Sequence, residues 1–101
     1  MAVIITRLHN NLPDNRKSRE VSAFLRRLIH TTFTGEEFAQ FIDDLTELVE
    51  ALNDKYRPTK PYYVTGSPGD NSVGVRLDGS DKSIYAVLCP IGKSYTEIRI
   101  I

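Results

Sequence analysis

Four carboxylates recur along the middle of the chain at spacings of four, three and four residues: Asp43, Glu47, Glu50 and Asp54. On a helix that spacing places them along one side. Such a row has two chemical uses. It can hold a divalent cation, but a hard cation takes about 6–8 oxygen ligands, and no loop of EF-hand type accompanies the row. It can also recognise a basic partner through charge complementarity. A solvated helix surface explains the same spacing with no chemistry at all.

The other reactive side chains are scattered. Cys89 lies in an apolar stretch next to Pro90, where a buried, inert thiol is expected rather than a nucleophile. His9 and His30 are the two histidines, and neither has a Cys or His at metal-ligand spacing. Gly92-Lys93-Ser94 matches the end of a phosphate-binding loop. The full pattern places a glycine where this chain has Val87, inside a strand pattern, and no helix follows. The segment Gly66–Gly74 is glycine-rich but has no dinucleotide fingerprint. Pro58-Thr59-Lys60-Pro61 has the PxxP spacing that SH3 domains read, although a helix stop accounts for both prolines. No cofactor and no metal site is implied.

The carboxylate row belongs to the most strongly patterned element of the sequence. From Thr34 to Tyr56, Phe38, Phe41, Ile42, Leu45, Leu48, Val49, Leu52 and Tyr56 fall on one side of a helix, with the acids opposite. Thr34 and Glu37 form a capping box, and Phe33 and Phe38 occupy the positions of a hydrophobic staple. Glu36 and Glu37 sit where the positive end of the helix dipole favours carboxylates. Pro58 and Pro61 end the helix near Arg57. An earlier helix is predicted over Ser18–Thr31, with Val21, Phe24, Leu25, Leu28 and Ile29 inward and Arg19, Arg26 and His30 outward. The short connector makes the pair an antiparallel hairpin.

Strand patterns flank the helices. Val3–Leu8 is β-branched and nearly continuously apolar, which suits a strand buried on both faces. After Pro61 the period changes to two: Tyr62–Thr65, then Val73, Val75 and Leu77, then Ile84, Ala86 and Leu88, then Thr96, Ile98 and Ile100. Asp78-Gly79-Ser80-Asp81 reads as a hairpin turn, and Pro90–Lys93 as another. The expected architecture is α+β, in the order β-α-α-β-β-β(-β). The helical hairpin packs on one face of a mostly antiparallel sheet, within a single domain over 1–101. The other face is left for solvent or for a second copy in a homodimer.

The chain has 101 residues, is 41% hydrophobic and 26% charged, and carries no formal net charge. Bulk positive charge of the kind that drives nonspecific nucleic-acid binding is therefore absent. One cysteine excludes an intrachain disulfide and fits a reducing compartment. No apolar run approaches the roughly 18 residues of a membrane span, and no signal-peptide pattern opens the chain. A cytoplasmic location is the expectation. The neutral total conceals three blocks: net +4 over 1–35, net −7 over 36–54 and net +3 over 55–101.

The order of elements resembles that of small bacterial ribonuclease toxins that act on the ribosome. That resemblance implies that basic and aromatic residues of the sheet carry the activity. Arg76, Lys82, Tyr85, Lys93, Tyr95 and Arg99 are residues of those types here. A protein that docks into ribosomal RNA is expected to be clearly basic, and this one is neutral. The sequence therefore points first to a non-enzymatic protein-binding module (an adaptor, inhibitor or regulator) that offers Asp43, Glu47, Glu50 and Asp54 to a basic partner. A ribonuclease-like or RNA-binding protein is the alternative. The simpler account of the charge blocks is that the acids balance Arg19, Arg26 and Arg27 of the neighbouring helix.

Overall fold

The computed structural model describes residues 2–66 and 72–91. It contains two helices and a five-stranded antiparallel sheet: β1 (Ala2–Asn10), α1 (Arg16–Arg26), β2 (Thr32–Phe33), α2 (Gly35–Lys55), β3 (Tyr62–Gly66), β4 (Ser72–Leu77) and β5 (Ser83–Ile91). The α+β class read from the sequence is correct. The strand order is β2-β1-β5-β4-β3. The expected strand over Tyr95–Ile101 and the Gly92-Lys93-Ser94 turn lie outside the described residues, as do Lys93, Tyr95, Arg99 and the loop residues 67–71.

The period-two pattern sorts the sheet residues as expected. Val73, Val75, Ile84, Ala86 and Leu88 are buried, while Arg76 and Tyr85 between them are exposed. These join Ile5, Tyr62 and Phe33 in one core with Val21 and Leu25 of α1 and Phe38, Phe41, Leu45, Val49 and Leu52 of α2. Ile5, Leu25, Leu45 and Ile84 are completely shielded from solvent.

The start of α2 forms as its sequence dictates. Glu37 N–H donates to Thr34 Oγ1 at 3.2 Å, and Thr34 N–H donates to Glu37 Oε1 at 2.9 Å. Two orphan amides are thereby satisfied reciprocally. The staple residues Phe33 and Phe38 meet edge-on with ring centroids 6.2 Å apart.

Four local expectations are corrected. First, α1 ends at Arg26, not Thr31. Its next turn tightens, and His30 (φ 69°) turns the chain so that its N–H donates to Ile5 O at 2.7 Å. The amide that would have extended the helix serves β1 instead. Second, the linker contains the two-residue strand β2, too short to leave a period in the sequence.

Third, β1 is interior to the sheet but is not buried on both faces: Ile5 is buried, Val3, Ile4 and Leu8 are half-buried, and Arg7 and His9 are exposed. Its register shifts between Ile5, opposite Leu88, and Arg7, opposite Val87. Thr6 is the extra residue, its hydroxyl donating to Val87 O at 3.2 Å. The bulge lets Ile5 and Leu8, three apart, share one face. Fourth, Pro90 does not begin a turn; it lies within β5 opposite Val3. Among the described residues, β4 pairs with β5 only as far as Val87. The missing proline N–H therefore interrupts no ladder on that side.

Candidate functional site

Asp43, Glu47, Glu50 and Asp54 all stand exposed on α2, whose buried side is formed by Phe38, Phe41, Leu45, Val49 and Leu52. A groove of about 680 Å³ runs beside the C-terminal half of the row, between Glu47, Glu50 and Asp54 on α2 and Arg57, Thr59 and Pro61 beyond it. The helix is tied to that connector by Asn53. Its side-chain amide donates to Tyr62 O and its carbonyl accepts from Tyr62 N–H, both at 2.8 Å. Asn53 thus acts as a strand partner for the first residue of β3, which lies at the sheet edge. Nothing local in the sequence marks that role.

Among the described residues no ion pair joins Arg19, Arg26 or Arg27 to an acid of α2. Arg19 pairs with Asp14 at 3.3 Å, Arg26 donates to Ser22 Oγ at 3.2 Å, and Arg27 donates to Ala23 O at 3.4 Å. Asp54 has one ion pair, with Arg57 at 2.8 Å, and Asp43, Glu47 and Glu50 have none. The ion pair that does cross between the helices has the opposite polarity, Lys55 of α2 to Glu20 of α1 at 3.5 Å. Tyr56 Oη also donates to Glu20 Oε2, at 2.5 Å. This hydrogen bond, more than the charge of Lys55, holds the Glu20 carboxyl below its ordinary value.

Among the described residues, no three His, Cys, Asp or Glu side chains converge to hold a metal ion. Nor is any helix long and apolar enough to cross a membrane. Cys89 is half-buried on β5 opposite Ile4. The sheet face turned away from the core carries the alternative residues. Arg76 and Tyr85 line a cleft of about 390 Å³ together with Thr65, Ser72, Asp81 and Ser83. His9 stacks on Tyr85 with ring centroids 4.9 Å apart. Lys82 lies exposed in the hairpin before β5. His9 joins this group because β1 pairs with β5, a long-range fact that its sequence neighbourhood does not carry. Comparison with known protein families, curated proteins and solved structures gives no match for this chain.

Proposed function

We propose that the chain is a small non-enzymatic protein-binding module, an adaptor, inhibitor or regulator, that docks a basic partner on the acidic side of α2. The observation that carries this reading is the separation of the two charge sets. Asp43, Glu47 and Glu50 have no ion pair among the described residues, while Arg19 pairs with Asp14 just before α1 and Arg26 and Arg27 donate to Ser22 and Ala23 within it. Unpaired exposed charge of one sign steers an oppositely charged partner and fixes its register. The reading treats the chain as one domain in which the helices form an antiparallel hairpin across one face of the sheet. The common core of Leu25, Leu45, Val75 and Ile84 supports that arrangement.

The test is the quadruple charge reversal Asp43→Lys, Glu47→Lys, Glu50→Lys and Asp54→Lys. Wild type and variant are used as bait in lysate of the native host, with captured proteins quantified and melting temperatures measured in parallel. Loss of specifically captured basic proteins at an unchanged melting temperature is expected. Unchanged capture sinks the reading.

A second reading, RNA binding by the open sheet face, is favoured by the His9–Tyr85 stack beside Arg76. Aromatic rings and arginine are the groups on which unpaired bases stack. If that face binds RNA, Tyr85→Ala weakens the binding of a single-stranded RNA oligomer, and the charge reversal on α2 does not.

A further inference from the structure

The start of α1 carries two cations where a helix favours anions. Its first turn contains Arg16 and Lys17 and no acid, whereas α2 opens with Glu36 and Glu37. The positive end of the helix dipole repels such cations. Lys17 is also buried, with 3% of its surface exposed. Its Nζ donates to Lys60 O at 3.0 Å and to Thr59 Oγ1 at 3.4 Å, and stands 4.4 Å from the centre of the Tyr62 ring. Each of these neighbours is neutral. No described carboxylate lies within ion-pair distance of Lys17. An ammonium has three N–H donors, and a buried one needs an opposing charge. Burial here lowers the Lys17 pKa, and no partner raises it.

The same lysine lines a pocket of about 440 Å³ between α1 and the α2–β3 connector. Apolar surface comes from Pro13, Tyr56, Tyr62 and Leu77, and the charged residues on it are Arg16, Lys17 and Lys60, all cations. That volume falls in the range of about 300–1,000 Å³ typical of small-molecule sites, which combine apolar walls with a few placed polar groups.

We propose that this pocket binds a small organic carboxylate with a flat or branched apolar body. The carboxylate accepts from the remaining N–H of Lys17 and supplies its missing countercharge. It also places negative charge at the start of α1. The exposed Arg16 and Lys60 draw the anion in, and the apolar body lies against Tyr56, Tyr62 and Leu77. A carboxylate fits better than a free phosphate because the one buried ammonium offers a single charge to neutralise, Arg16 and Lys60 being exposed at the rim. Pro13, Tyr56, Tyr62 and Leu77 also give an apolar body a surface to lie on. The site contains none of the four acids of the row on α2, although Thr59 lines both this pocket and the groove beside them, and it stands whether or not that side binds a partner.

The experiment titrates the full chain with naphthoate and with its neutral amide, naphthamide, followed by amide NMR and calorimetry. Isocaproate serves as the branched probe. Saturable shifts centred on Arg16, Lys17, Lys60 and Tyr62 are expected, with the acid binding about tenfold or more tightly than the amide, as a charge-assisted hydrogen bond provides. Lys17→Met keeps the apolar stem and should erase that preference, while circular dichroism reports its folding. Leu77→Trp, which fills the pocket and spares the lysine, should abolish binding of both probes. Equal affinity for acid and amide, shifts centred elsewhere, or no saturable shift from naphthoate and isocaproate at millimolar concentration overturns the proposal.

Discussion

Glu20 and Lys17 sit three residues apart on α1, and their environments shift them for different reasons. Glu20 is held below its ordinary value of 4.5, first by the Tyr56 hydroxyl and then by Lys55. A depressed carboxyl contributes stability that is present above the unfolded value and is lost as pH falls through the folded one. Tyr56→Phe should therefore raise the Glu20 pKa toward 4.5, as read from its side-chain carboxyl carbon by NMR titration. An unmoved titration would remove Tyr56 as the main cause. Lys17 is lowered from 10.5 by burial. Between its folded value and 10.5 the unfolded chain binds more protons, so stability rises with pH across that window. Denaturant titrations carried up to pH 10.5 should show the wild type gaining on Lys17→Met as the pH passes the folded value, because only the wild type sheds that buried charge. A constant difference would place Lys17 in water. None of this is legible locally: a lysine at a helix start reads as exposed, and what buries it is a connector some forty residues on.

At the scale of elements, α2 was legible because its determinants are local. The capping box, the staple and the apolar stripe all lie within its own residues, and all four acids emerge exposed as the period requires. Thr34→Ala removes one half of the box and should cost roughly 0.5–2 kcal/mol, seen as a lower denaturation midpoint. The end of α1, the strand β2 and the bulge at Thr6 were illegible because each answers to a partner distant in sequence: Ile5 for His30, β1 for Phe33, and β5 for Thr6. Asn53 belongs to this second class. Its side chain makes two hydrogen bonds to the Tyr62 backbone, so Asn53→Ala leaves both edge groups unmet, at about 1–3 kcal/mol. Because those bonds join the end of α2 to β3, hydrogen exchange at Tyr62 should accelerate more than at Ile84. Gly74 is a further long-range constraint. A Cβ there would stand 2.2 Å from Ile84 O and 2.7 Å from the Tyr85 Cα, and neither backbone atom can yield cheaply. Gly74→Ala should cost at least about 1–3 kcal/mol by overpacking, with a lowered melting temperature as the readout.

For the molecule as a whole, the arrangement of charge matters more than its total. The block over 36–54 holds seven acids and no base, and three of the four acids in the exposed row have no ion pair among the described residues. Asp43–Glu47, Glu47–Glu50 and Glu50–Asp54 are like-charge neighbours at helical spacing, each destabilising by about 0.2–0.5 kcal/mol. The row's self-repulsion therefore weakens the isolated helix, and among the described residues no ion pair from α1 offsets it. Neutralising Asp43→Asn, Glu47→Gln and Glu50→Gln, with Asp54 left to Arg57, should raise the melting temperature at low salt. The gain should fade as salt rises, because exposed charges are screened within about 10 Å at 0.1 M. The opposite account, in which the acids balance the arginines of α1, requires the neutralised chain to be less stable at low salt. A lower melting temperature there would restore that account and remove the main support for a recognition surface on α2. A higher one shows that the acids cost the monomer stability, as is expected of a recognition surface. Association of a basic partner with the wild type should then slow steeply with added salt, whereas the residual association of the neutralised chain should respond little.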